Sequence, residues 1–214
     1  MYITWLGQSC FKLQDKIGSD GVTLIMDPFD AEIGLKAPHY EADIVTVSHG
    51  HHDHNNTDAI RGNPFIINTA GEYEIKGVFV EGVESAHDEK DGSERGENII
   101  YRIEIEDISI THLGDLGHVL GAKQLEKLEG TDILLIPVGG KYAINAARAV
   151  EVISQIEPRI VIPMHYKVPG LKIDIDGVEK FIKELGIKPR NEEKLKISKK
   201  DLPQEDMELV VLSM

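Results

Sequence analysis

The chain of 214 residues is 41% hydrophobic, which is enough to bury one core of ordinary domain size. Its formal net charge of -14 argues against broad electrostatic attraction to nucleic acid or to an anionic membrane surface. We therefore expect a single domain over 1–214 that acts on a small molecule.

The N-terminal segment, MYITWLGQSCFKL, alternates as a strand does and carries no signal-peptide pattern. No apolar stretch approaches the roughly 20 residues that a membrane-spanning helix needs. Cys10 is the single cysteine, so no internal disulfide can form, which is typical of a reducing compartment. These features predict a soluble, cytoplasmic protein in which Cys10 is a small buried hydrophobe.

Short apolar runs rich in Val and Ile predict strands along most of the chain. They cover residues 3–6, 22–26, 44–47, 65–67, 99–105, 108–110, 133–138 and 160–162. One strongly polar stretch, HDEKDGSERGEN, begins at His87 and continues through 88–98. It predicts a solvated loop, or else a mobile flap beside a site, since it starts at a histidine.

Helices are expected mainly in the second half of the chain, with one short helix earlier at 57–60. Another short helix is expected at 122–128. Asn145 is expected to cap a third helix, and Asp176 a fourth that ends at Gly186. Strands that dominate early, with helices concentrated late, indicate a layered α/β or α+β domain in which helices cover sheets.

The stretch SHGHHDHNN, at 48–56, places four of the nine histidines within six residues. Imidazole and carboxylate are the side chains that hold Zn²⁺ and similar ions. Alternate residues of an extended chain point the same way, so His49 and His51 could bind one ion. Asp53 and His54, at the following turn, could face a second. A surface histidine cluster without fixed geometry is the alternative for this stretch alone.

Three further segments that contain apolar strand-like runs also end at a residue of the metal-ligand type. VFVEGVESAH ends at His87, ISITHLGD at Asp115 and IVIPMH at His165. Any one of them alone would more often be a capping aspartate or a core histidine. Their recurrence together with the 48–56 stretch favours one shared metal site.

The pattern His-x-His-x-Asp-His, followed by a separate His, Asp and His, resembles the metallo-β-lactamase superfamily over nearly the whole chain. WLGQSCFKL, LIMDPFD, HLGD and IPMHY resemble the branch that includes L-ascorbate-6-phosphate lactonase and Zn-dependent hydrolases. The resemblance implies an αβ/βα four-layer sandwich, in which helices flank two β-sheets and the site lies at the ends of strands. Members of the superfamily are often oligomeric, so a homo-oligomer is a family-level expectation.

The resemblance also implies a two-metal centre. It assigns one metal to His49, His51 and His87, the other to Asp53, His54 and His165, and a bridging position to Asp115. Two divalent ions roughly 3.5 to 4 Å apart can hold a bridging water, lower its pKa and polarise the oxygen under attack. We expect hydrolysis of a small ester, lactone or phosphoester, in which Asp115 and Asp53 are catalytic and Asp53 orients the nucleophile or shuttles its proton. Zn²⁺ is the expected metal, and Mn²⁺ or Fe could replace it.

Two residues are candidates for holding the ligands in place. Asp27, at the end of LIMDP, could accept the second ring N–H of a ligand imidazole, although a turn-forming Asp-Pro is an equal alternative. His112 lies close to Asp115 in the sequence. Gln8 is a departure, because many relatives have histidine in the corresponding segment, and the role of that histidine is therefore open here.

Four residues are candidate contacts to an anionic substrate such as a phosphorylated lactone. Lys141 and Tyr142 leave a strand through a glycine-rich turn, and Tyr166 and Lys167 directly follow His165. Solvated surface charge is the alternative for each lysine.

Several other functions are less consistent with the sequence. A nuclease of this superfamily normally has an added nucleic-acid-binding domain, for which this acidic chain leaves no room. A diiron redox protein would have a carboxylate where this chain has His51, and a TIM barrel needs about 250 residues and eight strand–helix units. A non-catalytic metal-binding or scaffold protein is the alternative of a different class, and the complete ligand set disfavours it.

Overall fold

The apolar runs form two mixed β-sheets in the computed structural model, which describes residues 1–15 and 21–214. The described strands of the first sheet are β1 (Tyr2–Gly7), β2 (Cys10–Asp15), β3 (Val22–Met26), β4 (Ile44–Thr46), β5 (Phe65–Ile67) and β13 (Leu195–Lys196). Those of the second sheet are β6 (Gly71–Ile75), β7 (Val78–Ala86), β8 (Glu97–Ile105), β9 (Ile108–His112), β10 (Ile133–Pro137), β11 (Ile160–Met164), β12 (Arg190–Glu192) and β14 (Glu208–Leu212).

The direction of the strands places many of the loops that follow them at one edge of the molecule. The first sheet has the order β13-β1-β2-β3-β4-β5, and β1, β3, β4 and β5 run the same way. The second has the order β12-β14-β11-β10-β9-β8-β7-β6, in which β7, β9, β10 and β11 run the same way. The residues that follow the carboxyl ends of these strands can therefore meet, as the resemblance implied.

A single large apolar cluster joins the two sheets, and it includes Phe11 from β2 and Ile103 from β8. A smaller cluster covers the outer face of the first sheet and contains Cys10, Phe29 and Leu171. Loops with short 3-10 turns, rather than α-helices, supply that outer cover. The sandwich prediction is confirmed, although few helices flank it, and Cys10 is buried as expected.

The described α-helices are α1 (Ala122–Lys127), α2 (Ala146–Ile156) and α3 (Val178–Leu185). Asn145 caps α2 as predicted, because its side chain accepts a 3.0 Å hydrogen bond from the Arg148 N–H. The predicted cap of α3 was wrong: Gly177 occupies that position, and the Asp176 carboxylate binds Lys180 instead. Within the described residues, no helix combines the length and apolar character that crossing a bilayer would need.

Helix and strand boundaries differ from the sequence prediction at other places. Residues 57–60 form only a 3-10 turn over Thr57–Ala59. The prediction did not identify β2, β6, β12, β13 or β14 as strands. Most of these carry polar or charged residues, as in Glu72 and Glu74 of β6, so the apolar runs that mark buried strands are interrupted.

Tyr101 of β8 connects the two sheets through its phenol. The hydroxyl lies 2.9 Å from the Val47 carbonyl and 3.0 Å from the Ile67 carbonyl, both at the ends of first-sheet strands. The side chain is fully buried, so losing the hydroxyl would leave the Val47 carbonyl without this donor. The bond therefore fixes the end of β4, where the 48–56 stretch begins.

We expect Tyr101→Phe to lower the free energy of unfolding by about 1 to 2 kcal/mol, because a buried carbonyl loses its donor. Urea unfolding of the metal-free protein would measure this. Tyr166→Phe is the matched control, since the Tyr166 hydroxyl lies 3.5 Å from its acceptor, the Leu212 carbonyl. Equal losses of unfolding free energy in the two variants would contradict the proposal that the Tyr101 hydroxyl fixes the end of β4.

Candidate metal centre

Histidine and aspartate side chains from both sheets converge where the strands end. They form two groups, each with its ligand atoms within 4.8 Å of one another: His49, His51 and His87 in the first, and Asp53, His54, Asp115 and His165 in the second. All seven residues that the sequence analysis assigned to metal binding are therefore brought together. We call these the three-histidine group and the four-residue group.

The Asp115 carboxylate lies between the two groups. Its Oδ2 atom is 3.3 Å from His87 Nε2, 3.4 Å from His54 Nε2 and 3.1 Å from His165 Nε2. His87 belongs to the three-histidine group, whereas His54 and His165 belong to the other. One oxygen atom thus approaches members of both groups, which is the arrangement a bridging ligand requires.

Asp27 fixes the orientation of two imidazoles. Its Oδ2 atom accepts hydrogen bonds from His54 Nδ1 at 2.8 Å and from Ser48 Oγ at 2.5 Å, and its Oδ1 atom accepts from the Ser48 N–H at 2.8 Å. Because the Ser48 proton points to Asp27, Ser48 Oγ accepts from His49 Nδ1 at 3.0 Å. Both Nδ1 atoms therefore carry the proton, and the Nε2 lone pairs of His49 and His54 are left free.

Both suggested interpretations of Asp27 apply. It orients imidazoles, and it also makes the turn after β3 with a φ of 45°. Burial raises the pKa of Asp27, but His112 and His54 outweigh that effect and lower it, so the carboxylate stays ionised.

Several buried lone pairs of the centre face no donor. His49 Nε2, His54 Nε2 and Asp115 Oδ1 are buried and have no hydrogen-bond partner among the described residues. Burial and the neighbouring His54 lower the pKa of His49 to about 3, so its imidazole is neutral at neutral pH. Buried acceptors without partners are costly. Neutral imidazoles and carboxylates are also the ligands that divalent ions such as Zn²⁺ prefer, so these residues fit a metal.

His54 has the opposite tendency. Burial lowers its pKa, but the Asp115 and Asp53 carboxylates outweigh burial and raise it. Protons and divalent cations compete for the same imidazole lone pair. The surrounding negative charge therefore favours a positive charge at His54 Nε2, which either a proton or a divalent metal ion can supply.

Asn98, which the sequence analysis did not single out, holds Asp115 in place. Its Oδ1 atom accepts the Asp115 N–H at 2.9 Å, and its amide nitrogen donates to Leu113 O at 3.0 Å and Ser85 Oγ at 2.7 Å. In the sequence, Asn98 is the last letter of a polar stretch and gives no signal of this role. Only the pairing of β8 with its neighbours brings it near the centre.

His112 lies near the centre but does not hold a ligand side chain. Its Nδ1 atom accepts the Gly114 N–H at 3.1 Å, so Nε2 carries the proton and donates to the Ser9 carbonyl at 2.8 Å. The prediction is corrected in this respect: His112 orders the backbone before Asp115 and the turn after β1. Its neutral ring is favoured because burial lowers its pKa.

Three of the four expected substrate contacts have other roles. Tyr166 is 4% exposed and packs against Trp5, with ring centroids 4.8 Å apart and ring planes tilted by 31°. The Lys167 ammonium donates to the carbonyls of Leu171 at 2.6 Å and Ile173 at 2.8 Å. Lys141 pairs with Asp174. Tyr142, by contrast, is 45% exposed, and the Arg95 guanidinium lies over its ring at 5.7 Å.

The polar loop after His87 has a defined backbone. The Asp88 carboxylate accepts four backbone N–H groups, from Lys90 at 2.7 Å, Gly92 at 3.0 Å, Glu94 at 3.0 Å and Arg95 at 2.8 Å. Burial raises the pKa of Asp88, but these donors outweigh it and lower that pKa to about 2. The loop therefore resembles a fixed turn more than an open flap, and it places Arg95 near Tyr142.

Comparisons with known proteins agree with this geometry. The profile of the Beta-lactamase superfamily domain matches residues 2–165. A UPF0173 metal-dependent hydrolase of Methanosarcina mazei is 33% identical over 77% of this chain and 82% of its own length. A Thermotoga maritima crystal structure, described as a candidate Zn-dependent hydrolase of the metallo-β-lactamase superfamily, is 36% identical with a TM-score of 0.80, covering 99% of this chain and 97% of that one.

The chain belongs to the metallo-β-lactamase superfamily. A second relative, a UPF0173 metal-dependent hydrolase of Methanopyrus kandleri, is 27% identical over 87% of this chain and 94% of its own length. The metallo-β-lactamase relatives are thus named metal-dependent hydrolases, which agrees with the His and Asp cluster. The narrower resemblance to L-ascorbate-6-phosphate lactonase stays a prediction.

We expect Asp88→Ala to raise the amide hydrogen exchange of residues 89–96, because four backbone donors lose their acceptor. Exchange of β8 and β9 should not change. Glu94→Ala is the control, since it removes only an exposed ion pair with Lys90. If Asp88→Ala left the loop as protected as in the control, the carboxylate would not be what orders it.

Proposed function

We propose that this member of the superfamily is a dinuclear metal-dependent hydrolase that acts on a small ester, lactone or phosphoester. The observation that carries the proposal is the position of Asp115 Oδ2, at 3.1 to 3.4 Å from imidazoles of both groups. In this proposal His49, His51 and His87 hold one ion, while Asp53, His54 and His165 hold the other. Asp115 is shared.

Zn²⁺ is the proposed metal, with Mn²⁺ or Fe as substitutes, because imidazole and carboxylate do not select sharply among these ions. When bound, a pair of such ions supplies Lewis acidity and a water of lowered pKa. This chemistry favours hydrolysis over a purely structural role. A purely structural metal site needs only ligands that enclose the ion. This centre also has an accessible side, at the exposed His51.

Asp53 is the proposed proton-handling residue. Burial raises its pKa, but His54 outweighs that effect and lowers it, so the side chain is a carboxylate at neutral pH. Its Oδ2 atom faces His54 Nε2 at 3.4 Å and accepts a hydrogen bond from Gln8. Oδ1 is the atom left to orient an attacking water or to accept its proton.

The proposed substrate is a small anion, for which a phosphorylated lactone is the specific candidate. Arg95 supports this, because it belongs to the turn that follows His87 and no ion pair is found for it among the described residues. The contact with the Tyr142 ring face does not use the guanidinium N–H groups, which can therefore bind carboxylate or phosphate oxygens. Tyr142 therefore remains a proposed substrate contact, while Arg95 replaces the lysines expected from the sequence.

We expect Asp115→Ala to reduce the metal content from two ions per chain to one or fewer, since both groups lose their shared carboxylate. Elemental analysis after reconstitution with Zn²⁺ measures this. Asp132→Asn is the control, because Asp132 is a buried carboxylate that binds Ser109 and Lys199 in another part of the fold. Undiminished stoichiometry in Asp115→Ala would remove it from the bridging role.

We expect Arg95→Gln to raise KM for anionic lactones and phosphoesters about tenfold and to leave kcat nearly unchanged, because it removes one charged contact that binds ground state and transition state alike. Steady-state kinetics on matched charged and neutral esters would measure the difference. Arg61→Gln is the control, since Arg61 precedes the amino end of β5, whereas the metal centre lies at the carboxyl ends of the strands.

Equal KM values for Arg95→Gln and wild type would contradict the anion contact.

A panel of lactones, phosphodiesters and thioesters tests the proposed hydrolase activity itself. If the zinc-loaded protein turned over none of them and a chelator changed only stability, the scaffold alternative would replace the hydrolase.

A further inference from the structure

Gln8 lies at the tip of the turn between β1 and β2, against the four-residue group. It is fully buried and adopts a φ of 52°, which is unfavourable for a residue other than glycine. A buried polar side chain in a strained turn needs local interactions that hold it there. Those interactions lead directly to two of the proposed ligands.

The side chain of Gln8 contacts one ligand and its backbone contacts another. The amide Nε2 donates to Asp53 Oδ2 at 2.9 Å. The Gln8 carbonyl accepts the His165 N–H at 3.0 Å and the Trp5 indole N–H at 2.9 Å. Both ligands belong to the four-residue group, and no described hydrogen bond joins Gln8 to the three-histidine group.

The chemistry of the amide suits this position. A carboxylate can turn about its terminal bond, and a donor on one oxygen fixes which oxygen faces the neighbouring imidazole. The amide is neutral, so it orients Asp53 without adding a positive charge that would repel a cation. Loss of an outer hydrogen bond of this kind typically weakens metal binding about 10- to 100-fold.

We propose that Gln8 is a positioning residue for the metal ion of the four-residue group, acting through Asp53 and His165. The inference rests on the proposed dinuclear function. It assigns a specific role to a buried residue that is not itself one of the proposed metal ligands.

Gln8→Leu tests the proposal, because it keeps a similar volume and the backbone carbonyl but removes the donor. Titration of the reconstituted protein with Zn²⁺ against a chromophoric chelator gives one dissociation constant for each ion. We expect one constant to increase about 10- to 100-fold and the other to stay unchanged. His51→Ala, which removes an exposed ligand of the three-histidine group, identifies which constant belongs to which ion.

Two further variants separate positioning from general stability. Gln8→His should restore most of the lost affinity, because an imidazole N–H can donate to Asp53. Gln155→Leu is the matched control, since its amide bonds the Leu120 backbone in another part of the fold, and it should lower only the melting temperature.

The outcomes of this titration are distinct. Equal weakening of both ions, or no weakening of either, would overturn the positioning role while the proposed function stands. A wild-type protein that never binds a second ion would overturn the dinuclear function, and the inference about Gln8 with it.

Discussion

The hydrogen bonds to the Asp27 carboxylate are the interaction on which the site depends. They place a proton on Nδ1 of His54 directly and on Nδ1 of His49 through Ser48. One ionised, fully buried group thereby sets the tautomers of imidazoles from both ligand groups. In each ring Nε2 is then the atom left to bind a metal ion, which is what makes a cluster of histidines into a set of metal ligands.

The turns that carry these groups are strained in the same way. Gln8, Asp27 and His165 follow the ends of β1, β3 and β11, and all three adopt left-handed φ angles, of 52°, 45° and 51°. Each such residue costs of order 1 to 3 kcal/mol, and the surrounding contacts must offset that cost. Each of these three residues stands where the chain leaves a strand at the ligand edge, so the left-handed backbone supplies the abrupt change of direction there.

The sequence singled out the seven ligand-type residues because four lie together at 49–54 and three end apolar segments, and the family resemblance assigned them to two metals. It could not predict Asn98, whose contact with Asp115 depends on the pairing of β8 with β9. It misjudged Tyr166 and Lys167, since nearness to His165 in sequence says nothing about which way a side chain faces. The fold class followed from composition and resemblance, while polar strands such as β6 lack the periodic signal.

The two ligand groups differ in charge and exposure, and this difference suggests how the proposed reaction divides between them. The three-histidine group contains no carboxylate of its own and includes the exposed His51, whereas the four-residue group is buried and includes two carboxylates. Negative charge favours tight retention of an ion, while an accessible position leaves room for water or substrate. Substrate would therefore approach from the His51 side, where the turn held by Asp88 begins directly after His87 and carries Arg95.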